Sequence, residues 1–216
     1  MVIAIDGPAG AGKSSVSIQL ADRLQCTRLD TGALYRAIGL AALRAGIPPI
    51  EGPELNQLLK DIEVDQRDGE VWLNHVIESQ SLRSPEVSRA ASDFAALPAV
   101  RTRLLELQRE IGGRRDCIVD GRDIGTVVFP DAPLKIYLTA SARARAERRL
   151  LELVDRGESY TLDQVQAEIE ARDLQDMTRK IAPLKQAEDA IVVDATDMTL
   201  PQVVERCYEL ARSIKN

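Results

Sequence analysis

Histidine is almost absent from this sequence: it occurs once in 216 residues, as His75. That residue falls in an alternating stretch far from every predicted strand end and reads as an incidental surface side chain. A reaction that relies on a histidine base is therefore disfavoured. Cysteine is nearly as scarce. Cys26, Cys117 and Cys207 are odd in number and far apart, with no C-x-x-C pair. Neither a zinc site nor a disulfide framework is indicated, and buried or half-buried reduced thiols in a cytosolic protein are expected. No apolar run approaches the ~18 residues that span a bilayer, and no signal peptide fits ahead of the first strand. Positive charge is not in excess: 28 Lys and Arg against 34 Asp and Glu leave a net charge of −6. A nucleic-acid-coating surface and a polybasic membrane contact are not expected. Internal repeats and low-complexity tracts are missing too.

What is present begins at once. The apolar run Val2-Ile3-Ala4-Ile5-Asp6 leads into Gly7-Pro8-Ala9-Gly10-Ala11-Gly12-Lys13-Ser14. This is G-x-x-x-x-G-K-[ST], placed between a predicted strand and a predicted helix. Glycines let the backbone wrap closely around a phosphate, and the N–H groups of Gly10 to Ser14 can point inward at it. The helix that starts near Lys13 adds the positive end of its dipole. Lys13 can reach the β- and γ-phosphates of a nucleoside triphosphate, and the Ser14 hydroxyl can ligate Mg²⁺. Gly7 to Ser15 make up the candidate ATP-binding segment. A guanine-reading N-K-x-D pattern is absent, which counts against a GTPase switch.

Length suits one α/β domain with a small insert or lid. The remaining chain alternates predicted strands (26–29, 117–119, 134–138, 190–193) with predicted helices (33–45, 54–60, 141–155, 161–176, 200–214), which argues for a parallel sheet covered on both faces. Thr31 is the expected N-cap of the helix at 33–45. Gly46 and Pro48-Pro49 stop that helix and open an excursion from the core. Within the excursion, Ile62–Asp65 and Glu70–Asn74 alternate apolar and polar residues around Arg67-Asp68-Gly69. They predict an antiparallel insert over about 60–84. Ser84 and Pro85 then open a helix as N-cap and N1, and another follows Pro98. A break is expected at Arg156-Gly157-Glu158-Ser159.

In an acidic protein that binds nucleotides, the arginines that matter must be concentrated in one cleft. Arg122 directly follows a predicted core strand, where parallel sheets bind ligands. Arg36 lies one turn inside its helix, Arg148 and Arg149 end a run that begins at Arg143, and Arg172, Asp176 and Arg179 share one helical face. Phosphoryl transfer needs such guanidinium groups to neutralise charge on the transferred group. An acceptor that is itself a phosphate needs no base, because its second pKa of about 6 leaves it largely dianionic at pH 7. The pairing of a nearly histidine-free chain with an arginine cleft thus suits a phosphate acceptor better than an alcohol.

These segments together resemble the bacterial cytidylate kinase family along nearly the whole chain. The markers are Ile5 to Lys13, Leu29-Asp30-Thr31-Gly32-Ala33-Leu34-Tyr35-Arg36, the run Asp120-Gly121-Arg122-Asp123-Ile124-Gly125-Thr126-Val127-Val128-Phe129-Pro130-Asp131, and Ala182-Pro183-Leu184. The resemblance implies a P-loop kinase fold similar to adenylate kinase: a five-stranded parallel core, an acceptor-binding segment over about 31–112 that carries the antiparallel insert, and a short lid over about 143–160. It implies transfer of the γ-phosphoryl group of ATP to CMP or dCMP with Mg²⁺, by a cytoplasmic monomer. Matched motif by motif, Thr31, Arg36, Arg122 and Arg179 correspond to ligands of the CMP phosphate. Ser92, Arg101 and Asp123 correspond to cytosine-reading positions, and Tyr35, Arg172 and Asp176 to positions facing the pentose. Arg148 and Arg149 resemble lid arginines over ATP, and Lys13, Arg122 and Arg179 carry the catalytic charge. A kinase with another small-molecule acceptor, and a nucleotide-sensing regulator without turnover, are the alternatives.

Overall fold

A computed structural model describes residues 1–67, 69–155 and 157–215. Asp68 of the expected hairpin turn and Arg156 of the expected helix break lie outside the described residues. The elements in chain order are β1 (Val2–Asp6), α1 (Lys13–Leu24), β2 (Thr27–Asp30), α2 (Thr31–Ala45), α3 (Pro53–Asp61), β3 (Val64–Arg67), β4 (Glu70–Leu73), β5 (Val76–Ile77), α4 (Pro85–Phe94), α5 (Pro98–Gly113), β6 (Cys117–Gly121), β7 (Leu134–Thr139), α6 (Ala142–Asp155), α7 (Leu162–Thr178), β8 (Ile191–Asp194) and α8 (Leu200–Lys215).

Five strands form one sheet in the order β2-β6-β1-β7-β8, and every pairing in it is parallel. The central strands β1 and β6 are uninterrupted apolar runs because helices cover both faces. On one face Leu34 and Ile38 of α2, Phe94 of α4 and Leu104 of α5 pack over Val119. On the other, Val16 and Leu20 of α1 and Val204 and Cys207 of α8 pack over Ile118. Burial of Leu104 at 1% exposure holds α5 to the sheet one turn from Arg101, and its truncation to Ala would cost about 2–5 kcal/mol. Register then sets the functional edge. Ile5 pairs with Asp120 and Asp6 with Gly121, so the segments that follow β1 and β6 leave the sheet side by side at its carboxyl end, where parallel sheets take ligands.

Local signals account for most boundaries. Ser84 caps α4 by accepting from the Val87 N–H, with Pro85 at the first helical position. Thr161 and Gln164 form a reciprocal capping box on α7. One expectation needs correction. The cap of α2 is Asp30, whose carboxylate accepts from the Ala33 N–H at 3.0 Å, and the helix begins at Thr31. The Thr31 hydroxyl donates instead to the Asp120 carbonyl at 2.8 Å, because β2 and β6 pair with Asp30 opposite Asp120. The expected antiparallel insert is present as a three-stranded sheet, β3-β4-β5. β5 has only two residues and follows a turn in which Asn74 and His75 take positive φ of 48° and 67°. The His75 side chain is 81% exposed.

After β6 the chain makes one π-helical turn, Ile124–Val128. Asp6 holds its start, accepting from the N–H groups of Ile124 at 2.8 Å and Gly125 at 2.7 Å. Helices α6 and α7 pack on each other through Ala146, Leu153, Val165 and Ile169. Cys117 and Cys207 are free and buried, and Cys26 is half-buried. Among the described residues no helix is long and apolar enough to cross a membrane.

Candidate active site

The loop between β1 and α1 passes under the end of β7 so closely that only glycine fits at its start. A Cβ on Gly7 would lie 1.9 Å from the Leu138 carbonyl oxygen, and its φ is +150°. Lys13 opens α1 with its side chain buried. Its ammonium donates to the carbonyls of Gly7 at 2.7 Å and Pro8 at 2.6 Å. Burial, and then the charge of Arg122, lowers its pKa well below the usual lysine value. A nearby anion relieves both penalties, so the lysine is poised to follow a phosphate.

Beside it, Ser14 is exposed and donates from Oγ to Asp120 Oδ2 at 3.1 Å. Asp120 is buried and also accepts from Ser17 Oγ at 2.7 Å and from Arg28 Nε at 3.0 Å. Burial and the neighbouring Asp30 raise the Asp120 pKa despite Arg28. Asp120, Ser17 and Arg28 were not among the expected site residues. The available signal was a carboxylate that ends a buried strand, as Asp120 does. Among the described residues no cluster of three His, Cys, Asp or Glu could hold a metal by itself. A hydroxyl and a carboxylate 3.1 Å apart at the phosphate loop are hard oxygen donors. They fit Mg²⁺, which is commonly held by one or two protein oxygens together with substrate phosphates.

Most expected residues meet in one cleft of about 450 Å³. Ala9 to Ser15 line one side of it, and Thr31, Tyr35, Arg36, Ser92, Arg122, Asp123, Arg148, Arg172, Asp176 and Arg179 line the rest. Gly7 and Pro8 lie beneath, with their carbonyls on Lys13. Arg101 stands behind Asp123 and lines a smaller adjoining cavity of about 140 Å³ with Tyr35 and Gln108. Arg149 is not in the main cleft. It pairs with Glu152 on its own helix at 2.8 Å and lines a neighbouring cavity with Arg145 and Tyr160. Arg148 donates to the carbonyls of Ala195, Thr196 and Met198.

Among the described residues most of the charge in the cleft is arranged in ion pairs. Asp176 accepts from Arg122 Nε at 2.8 Å and lies 3.5 Å from Arg179. Asp123 pairs with Arg101 and, at 3.2 Å, with Arg179. Arg36 pairs with Asp30 at 3.1 Å. Burial alone would raise the Asp176 pKa, but Arg122, Arg179 and Arg172 carry it below the usual value. Arg172 is the exception: its Nε is buried with no hydrogen-bond partner among the described residues. Burial, and then Arg122, pulls its pKa down to about 10. A buried guanidinium nitrogen without a partner calls for an acceptor oxygen from a ligand.

The cytidylate kinase family model matches residues 3–213. The chain belongs to the cytidylate kinase family. It is 48% identical over 209 residues to a cytidylate kinase of Thermotoga neapolitana, covering 96% of this chain and 95% of that one. It is 46% identical to a cytidylate kinase of Syntrophotalea carbinolica, covering 97% and 91%. Among solved structures, shikimate kinase from Bacteroides thetaiotaomicron superposes with a TM-score of 0.50 at 13% identity, covering 98% of each chain. That likeness is one of fold alone, and it agrees with the doubly covered parallel sheet of a P-loop kinase.

Proposed function

We propose that this cytidylate kinase performs its reaction, transfer of the γ-phosphoryl group of ATP to CMP or dCMP, across the single cleft described above. One observation carries the assignment of residues: the phosphate loop and an arginine-lined pocket with an unpartnered guanidinium share one continuous cavity. A donor phosphate on the loop and an acceptor phosphate among the arginines would face each other there. Such positioning supplies much of the catalysis in phosphoryl transfer.

In this reading residues 7–15 bind the ATP phosphates, and Lys13 leaves the Gly7 and Pro8 carbonyls for the β- and γ-oxygens. Thr31, Arg36, Arg122 and Arg179 receive the CMP phosphate, while Tyr35, Arg172 and Asp176 face its pentose. No general base is required, since the acceptor phosphate is already ionised. Mg²⁺, bound with ATP, would supply charge neutralisation across the β- and γ-phosphates, with Ser14 and Asp120 as its protein-side oxygens. Arg148 and Arg149 belong to a lid over about 143–160, which closes on the donor and excludes water as a competing acceptor.

Base choice rests on Asp123 and Arg101, with Ser92. Cytosine presents an amino donor at N4 and acceptors at N3 and O2. A carboxylate can accept from the first and a guanidinium can donate to the others. Uracil would set its O4 against the carboxylate and leave buried groups unpaired, at about 1–3 kcal/mol each. One chain supplies every residue named here, so a monomer suffices for turnover. The buried free thiols of Cys117 and Cys207 suit the reducing cytoplasm.

A coupled ADP-release assay across CMP, dCMP, UMP, AMP, GMP and dTMP tests the assignment. CMP and dCMP should give the highest kcat/KM. A preference for a purine monophosphate would overturn it.

A further inference from the structure

The phosphate loop has a second set of partners, outside the residues assigned above. Arg145 of α6 and Asp173 of α7 form a buried ion pair, Nη1 to Oδ2 at 2.6 Å. Both side chains also grip the same residue of the loop. The Ala9 N–H donates to Asp173 Oδ1 at 3.0 Å, and Arg145 Nη1 donates to the Ala9 carbonyl at 2.7 Å. Arg145 Nε is anchored on the Ala140 carbonyl at 2.9 Å. The next residue is packed against the same helices: a Cβ on Gly10 would lie 3.3 Å from Arg145 Cβ and 3.7 Å from Ile169 Cδ1.

A trans peptide is planar, with its N–H and C=O pointing in opposite directions. Asp173 holds the Ala9 N–H away from the cleft, so the carbonyl of the same peptide, that of Pro8, must face the other way. It does, onto Lys13 Nζ at 2.6 Å. Arg145 holds the Ala9 carbonyl away from the cleft, which turns the Gly10 N–H of that peptide toward the cleft. We propose that Arg145 and Asp173 are positioning residues for the donor site, setting the two peptide planes on either side of Ala9 so that one presents its carbonyl to Lys13 and the other its N–H to the triphosphate.

The proposal rests on the assignment of ATP to this loop. Among the described residues neither side chain bonds to the arginine pocket's own ion pairs, and Asp173 reaches Arg172 only through its charge, behind Arg122, Asp176 and Arg36 in effect, so the larger effect should fall on the donor. A pair that merely ties α6 to α7 would have no such selectivity. Those helices already share an apolar cluster, Ala146, Leu153, Val165 and Ile169, and should stay packed when the pair is weakened.

The test uses Asp173→Asn, which loses the charge but keeps an oxygen, and Arg145→Lys, which keeps the charge but cannot reach all of its partners at once. Binding of a non-hydrolysable ATP analogue and of CMP is measured separately by calorimetry, with circular dichroism melts on the same preparations. Loss of one charge-assisted contact should weaken the analogue about tenfold, with CMP binding weakened less and the ATP KM raised in parallel. Equal weakening of both ligands, unchanged analogue binding in a folded variant, or loss of folding in both variants would overturn the proposal. Failure of the unaltered protein to bind the analogue would instead remove the donor site itself.

Discussion

Asp123 and Arg101 face each other as a buried ion pair beside the arginine-lined cleft, and Arg179 pairs with the same carboxylate at 3.2 Å. The partner of Arg122 is a different carboxylate, Asp176. Asp123 is therefore held where a base could replace or share its arginine contacts, instead of serving to orient the neighbouring Arg122. On the proposed assignment of Asp123 to the base, base choice is separable from phosphate transfer. Asp123→Asn supplies an amide that can donate to the O4 of uracil. The variant should lose CMP efficiency by roughly one to two powers of ten, the worth of one charge-assisted hydrogen bond, and its CMP-to-UMP ratio of kcat/KM should narrow. Both substrates are measured on one preparation, so a folding defect cancels. Equal losses for both would assign Asp123 a structural role only.

Lys13→Ala should lower kcat by about two or more powers of ten while the far-ultraviolet circular dichroism stays native, because the ammonium acts on charge that develops during transfer. Among the described residues the side chain is held by two loop carbonyls and by no salt bridge, and its charge reaches Asp120 and Asp6 without direct contact. Near-normal turnover in a folded variant would take the lysine out of the mechanism.

Asp176→Ala frees Arg122 and Arg179 from their shared carboxylate. CMP and dCMP binding should weaken about tenfold, the worth of one lost hydrogen bond to a charged group, with the ATP KM nearly unchanged. A rise confined to the ATP KM would place this residue on the donor side instead. The same carboxylate carries acid stability. Its pKa lies below the usual 3.8 when folded, so its contribution is present above about pH 4 and fades as the pH falls through the folded value.

Asp6 should act in the opposite sense. Burial pushes its carboxyl up to about 6 from 3.8, against the two backbone N–H groups that it accepts from. A raised carboxyl pKa favours the protonated form in the folded state. Its contribution is therefore complete below about pH 4 and is lost as the pH rises through about 6. Asp30 and Asp176 are depressed and act lower, while Asp120, also raised by burial, acts in the same sense as Asp6, so the part of the slope that belongs to Asp6 is the part that Asp6→Asn removes. Denaturant midpoints measured from about pH 4 to about pH 6 should fall less steeply with pH in Asp6→Asn than in the unaltered protein. Identical slopes would show that Asp6 is ionised throughout.

Features set by near neighbours in the chain were legible without a fold. The phosphate loop is eight consecutive residues whose chemistry needs only a strand before it and a helix after it. Ser84-Pro85 and Thr161 with Gln164 cap their helices through contacts three residues apart. Apolar runs marked the central strands β1 and β6, because a strand buried on both faces tolerates little else; the edge strand β2, Thr27–Asp30, carries no such run. The antiparallel insert was visible as alternation, except for β5, which is too short to alternate. Choice between equivalent side chains was beyond local reading. Asp30 and Thr31 are both good caps by type, and the register of β2 on β6 gave the hydroxyl to Asp120 and the cap to Asp30. Partners across long separations were decided by packing alone. Ser14 meets Asp120 over 106 residues and Arg145 meets Ala9 over 136. Nothing in either local segment marks the other, because such contacts exist only once β1 and β6 are in register and α6 and α7 are docked on the loop. The sequence by itself determined which chemical groups the protein owns and the local conformation around each; the tertiary structure decided which of them share a cleft, since distance in space follows from sheet order and helix packing rather than from spacing along the chain.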